Sequence, residues 1–128
     1  MGDDRQPVVR VEAEPNGLTV LTLDAPPLNL FDQAMIDDLG AAIRALVEEP
    51  PRAVLINANG RAVSGGVDVH IFDGLTPAQG AALWTDLLKL IDAVEELPAP
   101  VVFAAHAAAL LHRHPTWSTA QVRAHLTR

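Results

Sequence analysis

The residues with the clearest potential for chemistry lie in one stretch, residues 53–70, which reads AVLINANGRAVSGGVDVH. An apolar run leads into a polar turn that ends with Gly65 and Gly66, and Asp68 follows within a short helix or turn predicted at residues 67–72. Backbone N–H groups exposed at the end of a strand can bind a phosphate, or stabilise negative charge on a carbonyl oxygen. Because glycine has no Cβ, a ligand can approach the main chain closely there. The same pattern is also typical of an ordinary strand-to-helix connection.

Ser64 and His70 in this stretch could suggest a serine nucleophile with a histidine base. The letters S-G-G-V differ from the G-x-S-x-G turn of such enzymes, and no acidic residue is placed to orient His70. The run G-R-A-V-S-G-G likewise does not reproduce the dinucleotide-binding pattern G-x-G-x-x-G. We therefore predict neither serine catalysis nor a dinucleotide site.

Three histidines, His106, His112 and His114, could suggest a metal site. His112 and His114 would share a face only on a strand, which the neighbouring Arg113 and Pro115 disfavour, and no carboxylate follows at a fixed spacing. We therefore predict no metal site.

Length and composition limit the classes of protein to which the chain can belong. Its 128 residues suffice for one domain, and 49% of them are hydrophobic, which excludes wholesale disorder. The formal net charge of −7, with no concentration of Lys and Arg, argues against a nucleic-acid or membrane partner. There is no cysteine, no signal-peptide pattern and no apolar run of membrane-spanning length. We therefore expect a soluble, cytoplasmic protein.

Periodicity predicts the elements that position this stretch. Residues 7–14 and 18–23 alternate apolar and polar side chains around a P-N-G turn, which is typical of a β-hairpin. Residues 24–29, DAPPLN, are predicted to form an extended loop, because proline lacks an N–H donor and restricts the residue before it. Apolar positions then step by three and four over residues 32–49, as in an amphipathic helix with acidic residues toward its N-terminus.

The second part of the chain predicts a parallel arrangement. Residues 53–58 are apolar on both faces, as in a buried parallel strand, so the strand–helix–strand order predicts a crossover unit. A second helix is predicted at residues 76–96, where Trp84 and Leu88 widen the apolar stripe and are expected to pack in the core. Residues 101–105 then read as the next strand.

In this order, four segments resemble the N-terminal half of the crotonase superfamily, the enoyl-CoA hydratase and isomerase enzymes. They are LTVLTLDAPPLNLFD, with a strand, a proline loop and an Asn before the first helix; AVLINANGRAVSGGVD, similar to a strand followed by G-x-x-F-x-x-G-x-D; the helix LLKLIDAVEELPAP; and VVFAAHA, similar to the strand that leads into V-x-G. The resemblance implies an α/β fold, a right-handed spiral of ββα turns. Here we expect it truncated, with an N-terminal β-hairpin and a short parallel sheet flanked by helices.

The resemblance also implies a substrate and a site. The substrate is an acyl-CoA thioester, and no separate cofactor is expected because coenzyme A is part of the substrate. In the family, the residue before the Asp of G-x-D donates a backbone N–H to the thioester oxygen, which becomes an enolate; here that residue is Val67. Such a donor can be worth ~3–4 kcal/mol in a dry site. The residues expected to contact the substrate or its CoA moiety are Leu28, Gly65, Gly66, Asp68 and Val69.

Several features depart from the family pattern. The family places its second oxyanion donor in a Gly-rich turn after the strand matched by residues 101–105, whereas residues 106–113, HAAALLHR, contain no glycine. The family's catalytic carboxylates come from later positions. Asp68 and Asp73 do not match them and are expected to be a helix N-terminal charge and a solvated turn residue. Val63 stands where the family often has an aromatic residue.

We therefore predict a disordered N-terminus at residues 1–6, a crotonase-like core at residues 7–106 and a tail unlike the family at residues 107–128. Our hypothesis is that truncation or a reading-frame change near residue 106 interrupted a crotonase-like coding sequence. An open sheet edge and unpartnered helix faces are expected to favour marginal folding or self-association.

Two functions are compatible with these features. The first is an enoyl-CoA hydratase or isomerase of fatty acid metabolism, which stabilises a thioester enolate. The second is a catalytically inactive remnant that binds a CoA ester weakly or serves as an interaction module. The missing glycine turn and carboxylates favour the second for the chain as given and the first for its ancestry. The sequence does not specify the acyl group.

Overall fold

The structure, a computed structural model, describes residues 5–103 and, beyond them, Thr116, Ser118, Gln121 and Ala124. Its elements in chain order are β1 (Val9–Ala13), β2 (Leu18–Leu23), α1 (Gln33–Glu48), β3 (Ala53–Ala58), a 3₁₀ helix (Val69–Phe72), α2 (Pro77–Glu95) and β4 (Val101–Phe103). The predicted α/β class, with its hairpin, two helices and two further strands, is confirmed.

The four strands form one sheet in the order β1-β2-β3-β4. β1 is antiparallel to β2, whereas β2, β3 and β4 are mutually parallel neighbours, so α1 and α2 are the crossovers that the sequence predicts. The register places Leu23, the last residue of β2, opposite Ala58, the last residue of β3. The segments that leave these two strands therefore start side by side. We call residues 24–31 the proline loop and residues 59–68 the glycine loop.

The core lies between the sheet and α1. The N-cap of this helix is Asp32, whose carboxylate accepts a hydrogen bond from the Met35 N–H at 2.9 Å. The helix buries one stripe of side chains, and the most buried residues of the sheet face it. The core residues contributed by the sheet and α1 are Val9, Leu21, Leu23, Met35, Ile36, Leu39, Ala42, Ile43, Leu46, Val54 and Ile56.

α2 begins as predicted but buries less than predicted. Thr76 caps it in a reciprocal capping box with Gln79, and Pro77 occupies the first helical position. Only Leu87 and Leu90 of this helix are buried. Trp84, Leu88 and Ile91, which we call the α2 stripe, are 51%, 58% and 55% exposed, so the prediction that Trp84 and Leu88 pack in the core is wrong. The reason is geometric. Leu87 and Leu90 belong to the buried core cluster, and the three residues of the α2 stripe lie on the adjoining, exposed face of the helix.

The first described residue is tied to α1. The Arg5 guanidinium donates two hydrogen bonds of 2.8 Å to the Asp38 carboxylate, which also accepts from the Val8 N–H at 2.9 Å. These interactions, that of Arg5 above all, lower the pKa of Asp38. Of the predicted disordered N-terminus, residues 1–4 lie outside the described residues, and so does most of the predicted tail. Neither described helix is both long and apolar enough to span a bilayer.

Candidate functional site

The proline loop and the glycine loop are joined along their length by backbone hydrogen bonds. The junction ends in an isolated parallel bridge between Phe31 and Val67. Backbone pairing of this kind holds two irregular segments at a fixed spacing, as in a sheet. The hydrogen bonds run from the Arg61 N–H to Pro27 O (2.9 Å), from the Gly65 N–H to Leu28 O (2.7 Å), from the Phe31 N–H to Gly66 O (2.8 Å) and from the Asp68 N–H to Phe31 O (3.0 Å).

Asn29 is the side chain that locks the two loops together. It is fully buried, and its φ of +48° lies in the left-handed region that asparagine tolerates better than most residues. Its side-chain oxygen accepts from the Ala25 N–H at 2.8 Å, and its amide donates to Asn59 O at 2.7 Å and Ala62 O at 2.9 Å. The sequence analysis did not assign Asn29 to the site. Its signal was its position two residues after Pro27, the second of two prolines, but its distant partners could not be inferred from the sequence.

Ser64 has a structural role in this arrangement. Its hydroxyl donates to Asn29 O at 2.8 Å and accepts from the Gly66 N–H at 3.0 Å. His70 instead pairs through Nδ1 with Asp73 at 3.2 Å, so the expectation that no acidic residue is placed to orient His70 is wrong. Both of these side chains are exposed. The Ser64 hydroxyl thus links the two loops, and the absence of serine catalysis stays a prediction.

Hydrogen-bond accounting singles out Val67 within the glycine loop. In the parallel bridge, Phe31 contributes both bonding groups, so the N–H and C=O of Val67 point away from the proline loop. Within the described part of the chain, the Val67 N–H has no acceptor. Its three neighbours are occupied: the Gly65 N–H by Leu28 O, the Gly66 N–H by Ser64 Oγ and the Asp68 N–H by Phe31 O. Among residues 65–68, the residue that the resemblance implied is therefore the one whose N–H has no acceptor in the described part of the chain.

The two glycines serve different purposes. Gly66 has a φ of +105°, a conformation that residues with a Cβ rarely adopt, and a Cβ there would meet nothing within 4 Å. A Cβ on Gly65 would lie 3.1 Å from Leu30 Cδ2 and 3.3 Å from Leu28 Cβ, so this glycine allows the loops to approach. The open main-chain face expected at both glycines is present at Gly66, whereas at Gly65 the proline loop occupies it. CoA contact at either residue stays a prediction.

The other site residues predicted to contact CoA lie at the surface around this junction. Asp68 caps the 3₁₀ helix and accepts a hydrogen bond from the His70 N–H at 3.0 Å, which confirms its expected helix N-terminal position. Leu28 is 43% exposed and Val69 is 69% exposed. The structure thus brings Leu28, Gly65 and Val67 into one unit, while contact of Leu28, Asp68 and Val69 with CoA stays a prediction.

An apolar cavity of about 460 Å³ opens beside the glycine loop. One wall contains Val63, Gly66 and Val67, and another is formed by α2, including the α2 stripe. Val63, which departs from the family pattern, is thus a wall residue. The remaining lining residues are Leu23, Phe31, Leu39, Ile56, Ser64, Leu87, Leu90, Val94, Glu95 and Phe103.

The acidic residue at the start of the proline loop is held in a structural pair. Asp24 accepts a hydrogen bond from the Asn59 side chain at 3.0 Å and forms an ion pair with Arg10. The Asn59 hydrogen bond, followed by Arg10, lowers the pKa of Asp24. Asp24 is therefore a poor proton acceptor near neutral pH, and it anchors both loops at their base.

No described residues form a cluster suited to a metal ion. Among residues 5–103 and the four further positions, no three His, Asp or Glu side chains are grouped for coordination. His106, His112 and His114 lie outside the described residues, so the expectation for them stays a prediction.

Comparisons with known proteins agree with the resemblance seen in the sequence. The profile of the family described as enoyl-CoA hydratase/isomerase matches residues 13–110. A probable enoyl-CoA hydratase of Bacillus subtilis (strain 168) is 27% identical over 95 residues, which are 73% of this chain and 37% of that protein. An enoyl-CoA isomerase/hydratase of Mycosarcoma maydis is 29% identical over 108 residues, which are 77% of this chain and 39% of that protein.

Solved structures show the same likeness. An enoyl-CoA hydratase of Mycobacterium smegmatis superposes with a TM-score of 0.72 at 29% identity, over 77% of this chain and 39% of that one. An enoyl-CoA hydratase of Bacillus anthracis has the same fold, with a TM-score of 0.68 at 22% identity, over 76% of this chain and 39% of that one. The chain thus spans under half the length of these relatives. Because the family profile covers most of its residues, the chain belongs to the enoyl-CoA hydratase/isomerase family and contains the N-terminal part of that fold.

Proposed function

We propose that this chain binds an acyl-CoA thioester with the thioester oxygen at the Val67 N–H, which stabilises the enolate formed during reaction. The observation that carries the proposal is the hydrogen-bond pattern of residues 65–68, in which Val67 alone lacks an acceptor within the described part of the chain. Family membership supports the same substrate class, because the relatives named above are described as enoyl-CoA hydratases or isomerases.

The chemistry needs a donor that is already in place. In hydration, water loses a proton to a base as its oxygen bonds to Cβ of the enoyl group, and the electrons of the C=C bond move to the thioester oxygen. The resulting enolate then takes up a proton at Cα. In isomerisation of a 3-enoyl thioester, loss of a Cα proton produces a dienolate with negative charge on the same oxygen, and a proton returns at Cγ. A fixed N–H at that oxygen stabilises the charge without reorganisation, and removing one such donor typically costs about 10²–10³ in rate.

The loop junction supplies the rigidity that this role requires. Asn29 and the bridge at Phe31 fix the backbone on either side of the glycine loop, so the Val67 N–H keeps its direction as charge develops. No described residue is assigned as the second donor or as the proton-transferring carboxylate. The proposed contribution of residues 5–103 is therefore binding and polarisation of the thioester.

The proposal extends to the CoA moiety and to the cellular role. Leu28, Asp68 and Val69 surround the exposed side of the loop junction and would line the adenine pocket. The reaction would be that of a lyase or isomerase in cytoplasmic fatty acid metabolism, with the acyl-CoA as the small-molecule partner. The alternative, binding of a CoA ester without catalysis, uses the same site and differs in turnover alone.

Thermal unfolding with and without crotonyl-CoA tests the proposal. A ligand that binds only the folded state at ~100 times its dissociation constant adds roughly 2.7 kcal/mol, which raises the midpoint of a domain this small by several degrees. Val67→Pro removes the N–H without breaking a described hydrogen bond, and we expect it to abolish turnover and most of the midpoint rise.

Gln33→Pro is the matched control. Gln33 is the first residue of α1, and the extended backbone of Asp32 before it suits a following proline. Gln33 does not line the cavity beside the glycine loop. This variant keeps the Val67 N–H, so its response to crotonyl-CoA should equal that of the parent chain. Equal responses in all three proteins would contradict the role of Val67, and no response in the parent chain would contradict thioester binding. Binding without turnover would select the non-catalytic alternative.

A further inference from the structure

β1 forms an open edge of the described sheet. It pairs with β2 on one side, and no described strand lies on its other side. The Glu14 N–H, directly after the strand, bonds to Leu18 O of β2, so every second residue back from Glu14 directs its backbone groups toward β2. Val9, Val11 and Ala13 lie between those positions. Their N–H and C=O groups therefore point outward, where no described group pairs with them.

The backbone of this edge is complementary to a second copy of itself. If another β1 runs antiparallel to the first with Val11 opposite Val11, then Val9 of each copy lies opposite Ala13 of the other. All of these positions have outward backbone groups, so each opposed pair exchanges two N–H···O bonds. Pro7 and Pro15 also face each other in this register. Because proline has no N–H to donate, the pairing ends there.

The charges of β1 favour this register over its neighbours. With Val11 at the centre, each Arg10 lies opposite Glu12 of the other copy, in the non-hydrogen-bonded pairs where side chains are closest. The nearest registers that keep the outward hydrogen bonds are centred on Arg10 or on Glu12. They would place two arginines or two glutamates directly opposite each other, which is destabilising. The sequence VRVEA thus specifies one symmetric pairing and disfavours the alternatives.

The side chains that this pairing uses are accessible. Glu12 is exposed, and no described residue forms an ion pair with it. The Arg10 side chain is 60% exposed and bonds to Asp24 through Nη2, which leaves other N–H donors of the guanidinium for a second carboxylate. Val11 is 53% exposed, although it lies opposite the fully buried Leu21 on the core side of the sheet. A second β1 would cover this valine with its counterpart.

We infer that β1 is a pairing surface for a second copy of this chain, which joins the two sheets across a two-fold axis between the two Val11 residues. The self-association expected from the sequence would thus use one edge, one register and one symmetry. Thioester binding at Val67 is not required, because β1 contributes no residue to the lining of the cavity. One pair of five-residue strands is a small contact, so the dimer is reversible and forms at high protein concentration.

Sedimentation equilibrium of the full chain over a range of concentrations tests the pairing. We expect the parent chain to show a monomer–dimer equilibrium. Glu12→Arg places like charges opposite each other in both charged pairs, so this variant should dimerise about tenfold more weakly. Glu48→Arg is the matched control, because it changes the net charge equally at the exposed end of α1, and it should leave dimerisation unaltered. A parent chain that stays monomeric up to about 1 mM, or equal association constants in the two variants, would overturn the inference.

Cross-linking through Val11→Cys tests the register, because the chain has no cysteine of its own. In the pairing centred on Val11, the two Cα atoms at this position lie about 5.5 Å apart, a distance that a disulfide can span. Under oxidation by copper phenanthroline, Val11→Cys should form a covalent dimer several times faster than Val47→Cys. Val47 is the matched control, since it is 51% exposed on α1. Adding Glu12→Arg to Val11→Cys should slow the cross-linking. Equal rates for Val11→Cys and Val47→Cys would overturn the inference.

Discussion

The loop junction and the α2 stripe lie on two sides of one cavity and differ in how their side chains are satisfied. At the junction, polar groups are paired with one another across more than thirty residues of sequence, and the Val67 N–H is left with no described acceptor. On α2, apolar side chains are left in water, with Leu87 and Leu90 buried and Trp84 half exposed. The comparison teaches that in this part of the fold hydrogen bonds hold the loops in place, whereas the helix is held by two buried leucines and leaves apolar side chains exposed.

The largest effect should come from Asn29→Ala. The substitution removes the hydrogen-bond partner of one donor and two carbonyl oxygens at part-buried positions, and it places a residue less tolerant of positive φ at +48°. We expect a loss of about 3–5 kcal/mol in the free energy of unfolding, measured by urea denaturation. Asn16→Ala is the control, because Asn16 accepts one hydrogen bond, from the Leu18 N–H, in an exposed hairpin turn. Similar losses in the two variants would contradict the central role of Asn29.

Alanine substitutions of a buried and an exposed leucine of α2 should lower the free energy of unfolding by less than Asn29→Ala does. Leu87 is 6% exposed and Leu88 is 58% exposed. We expect Leu87→Ala to cost about 2–3 kcal/mol and Leu88→Ala less than ~0.5 kcal/mol in the same denaturation experiment. A large loss for Leu88→Ala would show that the α2 stripe is buried in solution, and would remove the contrast between the two regions.

Replacing two glycines by alanine should distinguish a requirement for positive φ from a limit on the space available for a Cβ. Gly66→Ala forces a Cβ onto a φ of +105°, so we expect a loss of about 1–3 kcal/mol, read from the thermal midpoint. Gly40→Ala should instead stabilise by about 0.5–1 kcal/mol, because Gly40 lies inside α1 and the nearest atom to its new Cβ is the mobile end of Arg44, 3.3 Å away. A stabilising Gly66→Ala would contradict the described turn.

The smallest effect concerns acid stability at the N-terminus. The Arg5 pair lowers the pKa of Asp38 below its unfolded value of ~3.9. The pair's contribution is therefore complete above that unfolded value and is lost as pH falls through the lower folded pKa. Asp38→Asn should cost about 1 kcal/mol near neutral pH, and its difference from the parent chain should disappear in acid. A difference that is constant from pH 7 to pH 2 would contradict this assignment.

The fold was largely predictable because its signals are local. Alternation around Asn16 and Gly17, the two helical periodicities and the Thr76-Pro77 start each depend on a few neighbouring residues, and the structure has the corresponding elements. The crossover followed from the order of these elements. Exposure of Trp84 and Leu88 was not predictable, since periodicity identifies an apolar face but not whether another element covers it.

The candidate site was predictable only in part. Gly66 and Val67 could be placed by the turn pattern and the family resemblance. The role of Asn29 depends on contacts with Asn59 and Ala62, which no local pattern encodes. That Gly65 packs against Leu30, while Gly66 is open, likewise depends on how two distant loops meet.

The most direct test of the central claim is the infrared carbonyl stretch of crotonyl-CoA labelled with ¹³C at the thioester carbon. A hydrogen bond from the Val67 N–H to the thioester oxygen weakens the C=O bond. We therefore expect the carbonyl stretch of the bound ligand to lie at lower frequency than that of the free ligand in water. The shift should be absent with Val67→Pro and preserved with Gln33→Pro. A bound ligand whose carbonyl frequency equals that in water, or a shift that survives Val67→Pro, would contradict the claim that Val67 polarises the substrate.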